Sequence, residues 1–297
     1  MTSMPVIETT DLNKSYGQVA AVRALSFSVK PHQITAFLGL NGAGKSTTIR
    51  MLLGMIRPSS GTGQVLGHRI DAAKESVYLR RTVAYVSENK QLYDYMTVEQ
   101  IIRFTRPFYS DWSLDRERKL LNNYELPLKR KIKSLSKGMR TKLALLLALA
   151  RKPELLILDE PSEGLDPIGI ELMLESLVAQ NSVGTTVFFS SHQIPEVERI
   201  ADHVCVLHQG SLVLNASMDD MRQSYRQIDL VFPSLPNESD VRLAGVESIR
   251  ASGRQMSVVV SRNAEMLIER AHDLHASSVE VSPIGLREIF LQTVKGS

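Results

Sequence analysis

Two hydrophobic patterns follow one another along the chain. Near its start, apolar residues occupy alternate positions, which predicts antiparallel strands with one solvated face. These positions are Ala20, Val22 and Ala24, and then Leu25, Phe27 and Val29. Further on, the apolar residues form continuous runs separated by helical patterns, which are typical of a parallel sheet covered on both faces. These runs are Ile34–Leu38, Leu155–Leu158 and Thr186–Ser190. Together the patterns predict an α/β protein with an antiparallel β arm.

The segment from Thr97 to Asn123 has a helical pattern and predicts a helical subdomain spanning about residues 89–150. Thr97 and Gln100 have the spacing of a capping box at its start. Seven aromatic residues lie in and beside this segment, and we interpret them as the core of the subdomain. The alternative is an apolar docking surface for a partner. The seven are Tyr93, Tyr95, Phe104, Phe108, Tyr109, Trp112 and Tyr124.

Residues 219–297 mix short strand and helix patterns, so we predict a domain boundary after Met218 and a small C-terminal α+β appendage. The predicted helices are Asp219–Tyr225, Ala264–Leu274 and Arg287–Val294, and the predicted strands are Ile228–Phe232, Ser248–Ala251, Met256–Ser261 and Val279–Ser282.

Composition excludes several classes of protein. The net charge of +3 over 297 residues is too small to indicate a nucleic-acid partner, so none is expected. The longest apolar run, Leu143–Ala150, is far shorter than the ~20 residues of a membrane-spanning helix, and the N-terminus lacks the pattern of a signal peptide. We therefore expect a protein that is not itself embedded in a membrane. Cys205 is expected to be a buried core residue in a reducing compartment.

Residues 39–47 match the phosphate-binding pattern G-x-x-x-x-G-K-[ST], between an apolar strand and the helical stretch Thr47–Leu53. Glycines let successive N–H groups converge on an anion, and the following helix contributes its positive end. Lys45 would neutralise the outer phosphates of a nucleoside triphosphate, and Ser46 would help to hold Mg²⁺. The predicted nucleotide contacts in this loop are Gly39, Asn41, Gly42, Gly44, Lys45, Ser46 and Thr47.

A second buried strand, Leu155–Leu158, ends in two acids, Asp159 and Glu160. Such a strand is common by itself, but beside a phosphate loop it indicates hydrolysis. Asp159 would orient Mg²⁺ or its bound water, and Glu160 would polarise the attacking water.

The segment Leu135-Ser-Lys-Gly-Met139 lies ahead of these acids and opens the apolar helix Thr141–Ala150. It resembles the signature of ATP-binding-cassette (ABC) ATPases, usually written Leu-Ser-Gly-Gly-Gln. In that family the signature contacts the γ-phosphate held by the opposite subunit. The resemblance therefore implies ATP contacts from Ser136 and Gly138, through a hydroxyl and a helix N-terminus.

Other marks of the family follow in its order over residues 6–215. Glu163-Gly-Leu-Asp166 resembles the loop after the catalytic acid, where Asp166 would couple two nucleotide sites. Ser190-Ser-His192 resembles the segment of the switch histidine, which reads the γ-phosphate. Tyr16 sits where an aromatic ring stacks on adenine.

The chain departs from the family pattern at two places. Glu88 stands where the family often has glutamine, and its carboxylate could still ligate Mg²⁺. In the signature, Lys137 replaces a glycine and Met139 replaces the glutamine, while Ser136 and Gly138 remain. Activity is expected despite these changes.

The resemblance implies a P-loop NTPase core of the ABC type in residues 1–218, with ATP and Mg²⁺ as cofactors. It implies a homodimer or pseudo-dimer around two ATP molecules and a membrane-spanning permease subunit on a separate chain. The protein would then lie at the cytoplasmic face of the membrane. The segment Ile284–Leu291 resembles the last helix of single-cassette bacterial exporter ATPases, which favours export of a drug, antibiotic or peptide.

Two other functions stay open. One is a soluble ABC ATPase that acts on DNA or ribosomes, although no coiled-coil insertion or basic arm is visible. The other is a regulatory module that binds ATP and hardly hydrolyses it, which the departures at Glu88 and Lys137 motivate. A GTPase is excluded because the base-reading motif Asn-Lys-x-Asp is missing: Asn13-Lys14-Ser15-Tyr16 lacks the acid.

Overall fold

The structure is a computed structural model that describes residues 4–295. It divides into two compact units after Asn215, whereas the sequence pattern placed the boundary after Met218. The strands of the first unit are β1 (Ile7–Tyr16), β2 (Val19–Val29), β3 (Ile34–Gly39), β4 (Ser60–Val65), β5 (His68–Arg69), β6 (Ala84–Val86), β7 (Leu155–Asp159), β8 (Thr186–Ser191), β9 (His203–His208) and β10 (Ser211–Ser217). Its helices are α1 (Lys45–Leu52), α2 (Ala73–Thr82), α3 (Val98–Thr105), α4 (Leu114–Asn123), α5 (Lys137–Leu149), α6 (Pro167–Asn181) and α7 (Ile194–Ile200), with 3₁₀ turns at Arg106–Phe108 and Ile132–Ser134.

The centre of this unit is a six-stranded sheet with the order β10-β9-β3-β8-β7-β6. Strands β3, β7 and β8 pair in parallel and every residue in them is buried, which confirms the prediction from their continuous apolar runs. Because parallel strands end at the same edge of a sheet, the segments that follow β3, β7 and β8 meet there.

The antiparallel arm is a second sheet with the order β2-β1-β4-β5. The alternation in β2 changes phase at Ala24, whose φ of 42° lies in the left-handed region. The Ala24 N–H donates to Asn13 Oδ1 at 2.8 Å, where the β1–β2 register shifts. This bulge turns Leu25 and Phe27 to the buried side. Phe27 then packs on Phe37 of β3, with ring centroids 5.6 Å apart.

The helical region between Thr97 and Asn123 is broken rather than continuous. The capping box at its start is present, since the Thr97 N–H donates to Gln100 Oε1 at 2.8 Å and the Gln100 N–H donates to Thr97 Oγ1 at 3.2 Å. Pro107 ends α3 in a 3₁₀ turn, because proline lacks an N–H for a continuing helix. The chain becomes helical again at α4, which Ser113 caps.

Most of the aromatic residues in this region are not core residues, so that interpretation is wrong for four of them. Tyr124 is buried, but four others are 44–69% exposed. These four contact one another, with successive ring centroids 5.3–5.8 Å apart. The four, called the aromatic cluster below, are Tyr93, Tyr95, Phe104 and Phe108.

The second unit is an antiparallel sheet with helices, as the α+β prediction had it. Its strands are β11 (Arg226–Val231), β12 (Val246–Ser252), β13 (Gln255–Val260) and β14 (Ser278–Pro283), in the order β12-β13-β11-β14. Its helices are α8 (Met218–Ser224), α9 (Glu238–Val241), α10 (Ala264–Asp273) and α11 (Leu286–Lys295). The sequence pattern did not predict α9, since a single turn has no periodicity to detect.

Two expectations about apolar segments can be compared with the structure. Cys205 is fully buried in β9, as predicted, and burial raises the pKa of its thiol to about 12. Within residues 4–295, no helix has both the length and the apolar character that a bilayer span requires.

Candidate nucleotide-binding site

The glycine-rich loop connects β3 to α1 and surrounds a cavity of about 220 Å³. Gly44 has a φ of 105°, and a Cβ atom there would lie 2.5 Å from the Ala21 carbonyl oxygen. Only glycine combines this angle with this close approach. The cavity is lined by Ala21, Asn41, Gly42, Gly44, Lys45, Ser46, Thr47, Glu88 and Glu160. The structure therefore brings together most of the predicted phosphate and metal contacts.

Lys45 is the central cation of this cavity and is only 5% exposed. Its Nζ donates to the carbonyl oxygens of Gly39 at 2.7 Å and Leu40 at 3.2 Å, and it lies 3.0 Å from Glu160 Oε1. The contact with Glu160 is an ion pair and not a well-aligned hydrogen bond. Among the described residues, Oε1 is a buried acceptor with no hydrogen-bond donor. Such an oxygen is suited to accept a proton from water.

Glu160 is held in a strained conformation at the end of β7. Its φ of 48° is left-handed, which costs a non-glycine residue on the order of 1–3 kcal/mol. The Glu160 N–H donates to Ser190 Oγ at 3.0 Å, and His192 Nδ1 lies 2.9 Å from Glu160 Oε2. Residues kept in such conformations cluster at functional sites.

Three oxygen-bearing side chains converge beside the phosphate loop. Ser46 Oγ lies 3.2 Å from Asp159 Oδ1 and 3.5 Å from Glu88 Oε2. Ser190 Oγ donates to Asp159 Oδ1 at 2.7 Å and fixes that carboxylate. Over residues 4–295 there is no group of three His, Cys, Asp or Glu residues that could enclose a metal ion. This donor set fits Mg²⁺, which takes one or two carboxylates and completes its shell with phosphate oxygens and water.

The signature segment lies at the start of α5. Ser136 caps this helix by accepting from the Met139 N–H at 3.2 Å. A Cβ atom on Gly138 would lie 2.7 Å from the Gly164 carbonyl oxygen, so glycine is required there for contact with the loop after Glu160. Lys137 Nζ pairs with Glu163 Oε1 at 2.5 Å, and that contact lowers the pKa of Glu163.

Seven predicted site residues do not line the cavity around Lys45. Three of these, Gly39, Asp159 and His192, each contact a residue that does, namely Lys45, Ser46 and Glu160. The other four, Tyr16, Ser136, Gly138 and Asp166, lie apart from it. Ser136 and Asp166 are exposed, and Asp166 Oδ1 caps α6 by accepting from the Gly169 N–H at 2.7 Å. Tyr16 is 50% exposed at the end of β1, with Lys14 Nζ 5.2 Å from its ring centroid. Gly138 belongs to the signature helix. Within one chain, these residues are not part of the Lys45 cavity.

The sequence analysis assigned no role to two residues of the site. Ser190 holds both Asp159 and the backbone of Glu160, and the parallel pairing of Asp159 with Ser190 could have pointed to it. Lys90, which is 6% exposed, donates from Nζ to the Glu160 carbonyl oxygen at 3.1 Å. No motif predicts that contact, because the two residues are far apart in sequence.

A parallel sheet with a phosphate loop, two acids and a histidine at its carboxyl edge defines a P-loop ATPase of the ATP-binding-cassette class. A family model described as ABC transporter matches residues 22–163. The bacitracin transport ATP-binding protein BcrA of Bacillus licheniformis is 37% identical over 227 residues, or 75% of this chain and 73% of that protein. An uncharacterised ABC transporter ATP-binding protein of Alkalihalophilus pseudofirmus is 32% identical over 269 residues, which cover 86% of this chain and 98% of that protein. The chain belongs to the ATP-binding subunits of ABC transporters, and as such it binds ATP.

Solved structures agree with this assignment. The ATP-binding subunit of an ABC transporter has a TM-score of 0.66 and 32% identity, and the match covers 73% of this chain and 92% of that one. The cassette MJ0796, described as a dimer in a post-hydrolysis state with ADP and phosphate, has a TM-score of 0.65 and 20% identity over 71% of this chain and 98% of its own. At that identity, the second likeness shows the fold alone.

Proposed function

We propose that this chain hydrolyses ATP as one of a pair of cassettes and so drives a separate membrane-spanning partner. The observation that carries the proposal is the position of Glu160. Its carboxylate lines the phosphate-loop cavity between Lys45 and His192. One carboxylate oxygen, Oε2, is fixed by His192, while Oε1 has no hydrogen-bond donor among the described residues. Such a carboxylate is suited to act as a general base.

We propose a part in hydrolysis for each group from its hydrogen bonds. Lys45 would exchange its contacts with the loop carbonyls or Glu160 for phosphate oxygens and stabilise the charge of the transferred group. His192 Nδ1 holds Glu160 Oε2, and Gln193 Nε2 lies 2.9 Å from His192 Nε2. This arrangement fits a neutral histidine that donates from Nδ1 and accepts at Nε2. Oε1 of Glu160 then takes the proton of the attacking water.

Ser46, Asp159 and Glu88 would hold Mg²⁺ next to the phosphates. When bound, the ion neutralises phosphate charge. Ser190 keeps the Asp159 carboxylate directed at Ser46, which prepares the site for the cation.

Replacing Glu88 by glutamine tests the metal assignment. A neutral amide oxygen binds Mg²⁺ more weakly than a carboxylate, so Glu88→Gln should raise the Mg²⁺ concentration for half-maximal ATPase rate by about tenfold. The affinity for ATP at saturating Mg²⁺ should change little. Glu99→Gln, on an exposed position of α3, is the matched control. An unchanged Mg²⁺ dependence would remove Glu88 from the metal site.

A second copy would complete the site. Ser136, Gly138 and Asp166 resemble the family's contacts to a nucleotide held by the opposite subunit, and they do not line the cavity around Lys45. Ser136 lies at the N-terminus of α5, a helix of 13 residues whose positive end suits a phosphate. We infer that the signature of one copy faces the phosphate loop of the other, with Tyr16 stacked on adenine.

The aromatic cluster is the surface that we assign to the membrane partner. Tyr95 and Phe108 are 69% and 66% exposed, which is unusual for large apolar side chains that belong to one contact cluster. Leu92 and Tyr109, close to the cluster in sequence, line a groove of about 340 Å³. Apolar and aromatic surfaces of this kind are favoured in the centres of protein interfaces. The protein would thus lie at the cytoplasmic face of the membrane, and Ile284–Leu291 favours export.

A pull-down experiment tests the membrane partner. Tagged Glu160→Gln protein, incubated with detergent-solubilised membranes, ATP and Mg²⁺, should retain a stoichiometric polytopic membrane protein. Adding Tyr95→Ser and Phe108→Ser should reduce its recovery by about tenfold, since interface aromatics carry much of the binding energy. Val183→Ser, which removes another exposed apolar residue, is the control. Recovery of ribosomal proteins, of nucleic acid or of nothing would contradict the proposal.

A further inference from the structure

Lys90 is a buried lysine in the loop after β6. Its side chain is 6% exposed, and among the described residues the acceptor for its Nζ is the carbonyl oxygen of Glu160 at 3.1 Å. Lysine is almost never buried without a partner, because its charge loses hydration. A buried lysine amine that is directed at a backbone oxygen of the proposed general base calls for a functional explanation.

Burial and neighbouring charges act in opposite directions on the pKa of Lys90. Burial lowers the pKa of Lys90, and the carboxylates of Glu163, Glu88 and Asp159 oppose that shift. The Lys137 ammonium acts in the same direction as burial. In either charge state the amine keeps hydrogens that it can donate to the carbonyl oxygen.

Every polar group of Glu160 is approached by a different residue. Ser190 binds the N–H, Lys45 lies beside Oε1, and His192 holds Oε2. The carbonyl oxygen accepts from Lys90 Nζ at 3.1 Å and from the Glu163 N–H at 3.2 Å, so Lys90 supplies its side-chain donor. Because Glu160 has a left-handed φ of 48°, its peptide group needs such fixed contacts to stay in place.

We infer that Lys90 is a positioning residue for ATP hydrolysis, which fixes the backbone of Glu160 and thereby aims its carboxylate. The inference rests on the proposed role of Glu160 as general base. The Lys90 amine contacts the main-chain carbonyl of Glu160 and not its carboxylate. Its loss should therefore affect the chemical step far more than the binding of ATP.

Lys90→Met is the test variant, because methionine is a long unbranched apolar side chain without a donor. It should lower kcat by about 10- to 100-fold, the range for a slightly misplaced catalytic group. KM and the directly measured Kd for ATP should stay within about twofold of wild type. Lys90→Arg should recover part of kcat, since it restores a donor. Lys133→Met, at an exposed position, should behave as wild type.

A double-mutant cycle with Glu160→Gln, followed by single-turnover rates, separates positioning from an independent effect. If Lys90 acts through Glu160, adding Lys90→Met to Glu160→Gln should cause no further loss. An equal loss in both backgrounds would overturn the inference, and so would an unchanged kcat in Lys90→Met. Loss of ATP binding in both Lys90→Met and Lys90→Arg would make the residue structural and also overturn it. A wild-type chain that binds ATP without turnover would instead refute the proposed function, and the inference with it.

Discussion

Lys45→Ala is expected to weaken ATP binding by at least about 100-fold, or ~2.7 kcal/mol. The loop would lose the cation that we propose neutralises the outer phosphates. It would also leave the Glu160 carboxylate, which is 3.0 Å from Lys45 Nζ, buried without its counter-charge. Phosphate oxygens would then be repelled by an acid that Lys45 now balances. Titration calorimetry with ATP and Mg²⁺ at fixed ionic strength measures the change.

Lys129→Ala is the matched control, because Lys129 is exposed outside the cavity. Circular dichroism of both variants checks that the fold is retained. Lys45 makes its hydrogen bonds to the loop itself, at Gly39 and Leu40, so some loss of thermal stability is expected in Lys45→Ala alone. An unchanged affinity for ATP in a folded Lys45→Ala protein would remove the phosphate loop from the site.

Glu160→Gln is expected to lower the steady-state rate of ATP hydrolysis by about 10²–10⁴-fold, the contribution of a general base. Glutamine has nearly the same volume and can still accept a hydrogen bond from His192, but it cannot take the proton of water. The affinity for ATP should stay close to that of wild type, because the contacts to phosphate remain. Phosphate release and equilibrium binding of ATP are the two measurements.

Glu175→Gln, an exposed position on α6, makes the same chemical change outside the site and should leave the rate unaltered. A wild-type rate in Glu160→Gln would assign water activation to another group. His192→Ala should then be examined, because His192 is the neighbour that orients this carboxylate.

The centre of the site could be predicted because its parts are contiguous or belong to buried parallel strands. Gly44, Lys45 and Ser46 lie in one loop, and Asp159 and Glu160 end an apolar strand. The parallel pairing of β7 with β8 is enough to place Asp159 beside Ser190. The order of strands explains why loops from distant parts of the sequence meet at one edge.

Other features depend on contacts between residues far apart in the sequence, which no local pattern predicts. The hydrogen bond from Lys90 to Glu160 joins the loops after β6 and β7, and the ion pair of Lys137 with Glu163 joins the start of α5 to the loop after β7. The apolar content of Tyr95 and Phe108 predicted a core, but periodicity does not tell whether anything covers a helix face. The phase change at Ala24 requires a left-handed φ, which is unfavourable for alanine, so residue propensities do not predict it.

The central claim is that two copies enclose ATP between the phosphate loop of one and the signature of the other. The most direct test is the mass of Glu160→Gln protein in solution by light scattering, with Mg²⁺ and either ATP or ADP. With ATP we expect a dimer that retains two nucleotides, and with ADP a monomer. Adding Ser136→Arg should leave a monomer with ATP as well. A monomer that holds one ATP at every protein concentration would contradict the claim.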